Sequence, residues 1–217
     1  MSLRGRRVVV SAGPTFEDLD PVRFIGNRSS GKMGFAVAEA AARLGADVVL
    51  VAGPVSLPTP AGVARIDVRS AAQMHAAVLG ALPAEVYIGA AAVADFTPRN
   101  IAAGKIKKQA GMDTLTLELV RTPDILADVA THALRPRLVV GFAAETDHVE
   151  QYARGKLERK GLDLIAANRV GVSGSGFESD DNALVVYGRD GFERALGPAA
   201  KTVLADNLLE IISARLQ

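Results

Sequence analysis

Short runs of uninterrupted hydrophobic residues, each separated from the next by a helix-length segment, constrain this chain more than any other feature. Arg7–Ser11 (RVVVS) and Asp47–Ala52 (DVVLVA) lack polar alternation, the pattern of strands covered on both faces. Val86–Ala90, Leu138–Ala143 and Leu164–Ala167 read as further strands, and Arg65–Val68 as a short one. Between them lie helical segments. Ser30–Leu44 puts Met33, Val37, Ala41 and Leu44 on one face, with Ser29 or Ser30 to cap it and Gly45 to end it. Ser70 caps Ala71–Leu82, Asp147–Lys160 runs up to Gly161, and Ala199–Leu216 closes the chain. This alternation implies an α/β fold: a doubly wound, mostly parallel sheet with helices on both faces and right-handed crossovers. Two segments break the pattern. Thr114–Val120 alternates polar with apolar residues and reads as a half-exposed antiparallel strand. Ala183–Tyr187 and Phe192–Leu196 flank a Gly188–Gly191 turn and read as a hairpin, so a small antiparallel extension is expected. The 217 residues suit a single domain, 1–217.

Composition excludes several function classes. Net charge is +1 with dispersed basic residues, whereas a nucleic-acid surface needs a concentrated patch. Aromatics make up 5% of the chain and Trp is absent, which argues against base-stacking platforms. Without cysteine there is no disulfide, thiolate metal ligand or thiol nucleophile. No apolar run reaches the ~20 residues of a membrane span, so no membrane partner is expected and a soluble, cytoplasmic protein is.

Two stretches carry the chemical signal: Ser11–Gly34 and Ala90–Lys108. Each begins where a strand stops, contains small residues that admit close approach, and adds cations. A strand followed by such a loop and a helix start is a natural anion site, because the first helical N–H groups lack partners and the dipole is positive there. The connection Gly13–Arg28 is long for its kind, and long ordered loops are usually functional. A dinucleotide fingerprint is missing: no G-x-G-x-x-G follows the strand, and the second strand ends VAGP without an acid for a ribose. Gly26-x-x-x-x-Gly31-Lys32 has P-loop spacing, but Met33 stands where a hydroxyl would hold magnesium. A plain capped helix start with a solvated lysine explains the serines. It does not explain Gly31 and Gly34, each costing about 1 kcal/mol against alanine in a helix. Close approach of a ligand or of the sheet would account for them. Asp95 falls at a strand's carboxyl edge, where it suits a ligand; it equally suits a turn before Thr97–Pro98. Lys105, Lys107 and Lys108 read either as phosphate cations or as a solvated cluster. His75, His132 and His148 show no metal or triad pattern.

The segments AGPTFEDLDPVRFIGNRSSGKMGFAVAEAA, VAGPVSLPTP, GAAAVADF, KIKKQ, TPDIL, VVGFAAET, ARGKLERKGLDLIAAN and SDDNALVVY resemble the bacterial phosphopantothenoylcysteine synthetases, in order along nearly the whole chain. The resemblance implies a Rossmann-like fold and a ligase of coenzyme A biosynthesis, often the C-terminal half of a bifunctional protein. Such a ligase joins 4′-phosphopantothenate to L-cysteine with CTP as co-substrate and Mg2+, through an acyl-cytidylate. It implies a homodimer with a shared active site, and a higher oligomer where a decarboxylase is fused. By resemblance, Asn27, Lys105 and Arg23 are catalytic, with Arg23 reaching across the dimer. Asn27, Arg23, Ala91, Ala92 and Asp95 bind substrate. The nucleotide falls to Gly13, Ser29, Gly31, Gly34, Ala90, Ala91, Asp95 and Lys105, and to Pro123, Asp124, Ile125, Leu126, Phe142, Lys156 and Lys160. Asp95 is the candidate metal ligand, and Ala103–Asp113 resembles a mobile flap. KIKK and ARGKLERK resemble the CTP-using branch, while Gly26 and Arg28 depart from the Ser and His of familiar bacterial versions. A nucleotide-binding scaffold without the chemistry and an NAD(P)-dependent oxidoreductase are the competing classes.

Overall fold

In the computed structural model, which describes residues 2–108, 113–170 and 180–217, the first strand shows why its hydrophobic run is continuous. β1 (Arg7–Ala12) buries Val8 and Val10 in one core and Val9 in another, on opposite faces. A small antiparallel hairpin follows, β2 (Phe16–Asp18) and β3 (Phe24–Gly26), then helix α1 (Lys32–Arg43). Next come β4 (Asp47–Ala52), β5 (Val63–Asp67), α2 (Ala71–Gly80) and β6 (Val86–Gly89). A second two-stranded sheet, β7 (Phe96–Pro98) with β8 (Leu119–Arg121), precedes α3 (Ile125–Thr131). β9 (Leu138–Glu145), α4 (Val149–Arg159), β10 (Leu164–Arg169), β11 (Asp181–Gly188), β12 (Glu193–Ala200) and α5 (Lys201–Arg215) complete the described chain.

Eight strands form one sheet in the order β12-β11-β10-β9-β6-β1-β4-β5. Six are parallel, and β11 and β12 extend the sheet antiparallel at one edge. Helices α1 and α5 cover one face and α2, α3 and α4 the other. The chain winds outward from β1 to β5, then returns to β6 on the other side of β1. Strand order therefore reverses between β1 and β6, and in open α/β sheets ligands bind outside the carboxyl ends of the strands at this point.

The expected α/β fold is the observed one, with three local differences. Neither Ser29 nor Ser30 caps α1. Its N-cap is Gly31, in the left-handed region at φ 77°, while Ser29 Oγ accepts the Gly31 N–H at 3.3 Å. The strand read over Thr114–Val120 contracts to Leu119–Arg121. Its partner β7 is only three residues long, one further backbone bond runs from the Arg99 N–H to Glu118 O at 2.9 Å, and residues 113–118 are exposed without strand structure. The long connection after β1 is built as the β2–β3 hairpin. Phe16 and Phe24 stack with centroids 3.9 Å apart, and the Arg69 guanidinium sits over both rings at 5.5 Å. The Ser70 cap stands as expected, in a capping box with Gln73.

Gly34 explains one of the two costly glycines. A Cβ there would lie 2.5 Å from Ala12 Cβ and 3.2 Å from Ala12 Cα, so the first turn of α1 touches the end of β1. Gly34→Ala is expected to lower stability by about 1–3 kcal/mol despite alanine's higher helix propensity. Gly80, the last residue of α2, has open space where a methyl group would stand, and Gly80→Ala should stabilise by about 0.5–1 kcal/mol. Urea denaturation of both variants checks the pair; a Gly34→Ala chain as stable as wild type would contradict the contact.

Candidate active site

A cleft of about 630 Å³ opens at the switch point. Its floor is the ends of β1 and β6. Tyr87 is wholly buried beneath it, with its hydroxyl 2.9 Å from Ser11 Oγ. Burial pushes the Tyr87 phenol well above its usual range, so this hydroxyl stays protonated and structural. One wall is the first turn of α1, with Ser29, Gly31 and Gly34. Gly13 lies behind that wall, its Cα 3.5 Å from where a Gly31 Cβ would stand.

Chain 90–95 forms the next wall, and Ala90, Ala91, Ala92 and Asp95 all line the cleft. The backbone here is tied to the loop after β1. The Ala92 N–H donates to Gly13 O at 2.9 Å, the Thr15 N–H to Ala92 O at 3.3 Å, and the Ala94 N–H to Thr15 Oγ1 at 2.9 Å. Opposite stand Pro123, Asp124, Ile125 and Leu126 at the start of α3, with Phe142, Lys156 and Lys160. Asp124 caps α3 by accepting the Ala127 N–H at 3.2 Å and pairs with Lys160 Nζ at 2.9 Å. Lys156 Nζ donates to Phe142 O at 2.8 Å. Burial, and then the charge of Lys160, lower the Lys156 pKa against the pull of Glu145, Asp124 and Asp95.

Three residues with expected catalytic roles flank the cleft of a single chain rather than line it. Asn27 is exposed, and its Nδ2 donates to Ala92 O at 2.9 Å. Arg23 pairs through Nε with Asp20 Oδ2 at 3.1 Å and donates through Nη2 to Ile106 O at 2.6 Å. Asp20 is 1% exposed and also accepts the Ile106 N–H at 3.1 Å. Burial alone would raise its pKa, but the N–H donors of Ile106, Val22 and Arg23 and the Arg23 charge outweigh it and hold the carboxyl below its usual range. Lys105 is exposed beside this anchored Ile106. Of the expected flap Ala103–Asp113, residues 109–112 lie outside the described residues.

Sequence reasoning missed the polar residues Arg121, Thr122, Asn168, Asn182 and Lys201 of the cleft wall, and it weighed Lys32 only as a P-loop-spaced or solvated lysine. Asn168 had a signal, since it ends a parallel strand at the carboxyl edge of the sheet. Among the described residues, no group of three or more His, Asp or Glu side chains is arranged to hold a metal ion. No helix among them is long and apolar enough to cross a membrane.

Fold and cleft together define an α/β protein with a cleft at the switch point of a doubly wound sheet. Residues 3–216 match the family described as the DNA/pantothenate metabolism flavoprotein C-terminal domain, and the chain belongs to that family. It is 54% identical over 211 residues to the coenzyme A biosynthesis bifunctional protein CoaBC of Vibrio cholerae, and 52% identical over 215 residues to that of Escherichia coli. In both cases it spans 53% of the relative's length, with 97% and 98% of this chain covered. The crystal structure of the C-terminal domain of a coenzyme A biosynthesis bifunctional protein superposes with a TM-score of 0.83 at 38% identity, covering 98% of this chain and 96% of that one.

Lys156 yields a prediction of definite sign. A lysine with a lowered folded pKa destabilises the fold in its charged form. That cost is complete below the folded pKa and vanishes as pH climbs toward the unfolded value of 10.5. Lys156→Met is therefore expected to melt higher than wild type at pH 7, with the advantage shrinking toward pH 10.5. Melting curves across that range check it; a lower Tm at pH 7 would contradict the assignment.

Proposed function

We propose that this chain is a cytoplasmic phosphopantothenate–cysteine ligase domain acting in coenzyme A biosynthesis. The observation that carries the reading is the convergence on one cleft of the α1 first turn, the 90–92 backbone and the α4 lysines. These are the parts that phosphates need: N–H donors at a helix start, backbone open to close approach, and cations. The names of the similar coenzyme A proteins and the resemblance in sequence supply the pathway.

In the proposed reaction a carboxylate oxygen of 4′-phosphopantothenate attacks the α-phosphorus of CTP. The bond to the bridging oxygen breaks, and pyrophosphate leaves with the electron pair. The cysteine amine then attacks the acyl carbon of the acyl-cytidylate, loses a proton, and CMP departs. CTP is preferred over ATP on the strength of the KIKK and ARGKLERK segments. Magnesium fits this site as a companion of the triphosphate, since it commonly keeps few protein ligands and Asp95 offers one carboxylate in the wall. Lys105 neutralises charge during activation. Asn27, held on the Ala92 carbonyl, donates to the acyl oxygen in the second step.

The residues that flank the cleft support a dimer. Val22 and Phe24 on the first hairpin and Phe96 and Leu119 on the second small sheet are exposed, and β2 packs beside β7. This apolar patch carries Arg23, and a second copy covering it would bring Arg23 to a neighbouring cleft. Mixing Arg23→Ala with Lys105→Ala chains should restore activity, because a mixed dimer can assemble one intact site; proven heterodimers without activity would contradict a shared site.

The two half-reactions should separate by mutation. Lys105→Ala is expected to fail to form the acyl-cytidylate. Asn27→Asp should form it but pass it to cysteine about a hundredfold more slowly, because a carboxylate cannot donate and repels the developing oxyanion. Quenched reactions examined by mass spectrometry for phosphopantothenoyl-CMP decide this. Accumulation in Lys105→Ala but not in Asn27→Asp would refute the roles.

A further inference from the structure

One cation of the cleft has no role in the proposed reaction and no partner in the fold. Lys32, Lys156 and Lys160 each meet an acceptor: Asp180 Oδ1 at 2.6 Å, Phe142 O at 2.8 Å and Asp124 Oδ1 at 2.9 Å. Arg121 also lines the cleft and is exposed, yet its guanidinium has neither a hydrogen bond nor an ion pair among the described residues. None of the acids whose charges reach Lys156, namely Glu145, Asp124 and Asp95, pairs with it. The backbone that carries Arg121 is fixed. It ends β8 directly opposite Phe96 of β7. The next residue is tied twice: the Thr122 N–H donates to Asp95 O at 3.1 Å, and Thr122 Oγ1 donates to Ala94 O at 2.6 Å.

Residues directly opposite in an antiparallel pair share one face of the sheet, and Phe96 and Arg121 both line the cleft. A planar fork of N–H donors is thus mounted on a held strand end. It suits bidentate pairing with a phosphate, and an arriving anion displaces no protein partner from it. Its place selects the anion. Asn27 Nδ2 is held on Ala92 O, which sets the acyl group of the proposed reaction beside Ala92. Arg121 faces Phe96, further along the same wall, and a chain of four residues spans at most about 14 Å. In 4′-phosphopantothenate about nine bonds separate the carboxylate from the phosphate, the length of roughly three residues of extended backbone, or about 10 Å. With its carboxylate beside Asn27, the acid can lay its phosphate at Arg121. The parts proposed for the nucleotide's phosphates, the α1 first turn, the 90–92 backbone and the α4 lysines, do not include this arginine.

We propose that Arg121 binds the phosphate monoester of 4′-phosphopantothenate and so selects the phosphorylated acid over pantothenate itself. This rests on the ligase reading and deepens it. No bond to that phosphate forms or breaks in either half-reaction. The contact holds the acid along the 92–96 wall with its carboxylate at the nucleotide, a positioning effect drawn from a part of the substrate that does not react. Loss of Arg121 therefore falls on the choice of acid and leaves nucleotide binding unchanged.

Pyrophosphate release by wild type, Arg121→Gln and Arg121→Lys, with CTP, cysteine and either 4′-phosphopantothenate or pantothenate, tests this alongside calorimetric titration of CTP and of both acids. For Arg121→Gln, kcat/KM and affinity for 4′-phosphopantothenate are expected to fall at least ~10-fold, while the values for pantothenate and the CTP Kd stay within about twofold of wild type. Arg121→Lys keeps the charge without the fork and should fall between the two. A loss shared equally by both acids or by CTP, as a purely structural role would produce, overturns the proposal, and so does no loss with the phosphorylated acid. If Arg121→Gln does not fold, as judged by its melting curve, Arg121→Lys carries the test with the same pattern and a smaller loss. An active wild type whose Arg121→Gln variant keeps its preference for the phosphorylated acid overturns the Arg121 assignment alone; a wild type that releases no pyrophosphate with either acid overturns the ligase reading as well.

Discussion

The first turn of α1 lies directly on the end of β1, because residue 34 presents no side chain to Ala12. The functional architecture follows from that contact. It fixes the open N–H groups of α1 beside the switch point of the sheet, where the positive end of the helix dipole faces the cleft. The left-handed turn at Gly31 lets the chain enter the helix there without a side-chain cap. A cap would occupy the same N–H groups that an anion needs. Stability given up at the helical glycine 34 and at a missing side-chain cap is recovered in a binding surface.

The same exchange recurs in the charges. Lys156 and Lys201 are amines in largely enclosed positions, each with its pKa pulled down first by burial. Ordinary cores avoid such groups unless they are matched. A polyanion entering the cleft would add counter-charge beside Lys156 and relieve part of the cost that its burial carries. The outer hairpin shows the opposite arrangement. Asp20 is buried but satisfied by three N–H donors and Arg23, which anchors the start of the KIKK segment at Ile106. That anchor holds Arg23 and the start of the KIKK segment beside the cleft instead of in it.

The sheet was legible because its strands are buried on both faces: β1, β4, β6, β9 and β10 show it as unbroken hydrophobic runs. The α2 cap was legible because Ser70 and Gln73 stand at capping-box spacing. The β2–β3 hairpin was not, since it is held by the long-range contact of Arg69 with Phe16 and Phe24 rather than by a local pattern. The strand at Leu119–Arg121 was overextended because alternation marks which residues favour a sheet but not the length of the partner. In the candidate site, Gly31, Gly34, the 90–95 segment, Lys156 and Lys160 were found through motif and resemblance. Lys201 was missed because a lysine beginning a helix reads as solvent-exposed; only the route of β12 back to the carboxyl edge buries it.

The most direct test of the account is pyrophosphate release. Purified chain is supplied with 4′-phosphopantothenate and either CTP or ATP, with and without cysteine. The account predicts multiple turnovers with CTP when cysteine is present, little beyond a single turnover when it is absent, and lower efficiency with ATP. Continuous pyrophosphate release that ignores cysteine, or none with either nucleotide, would contradict it.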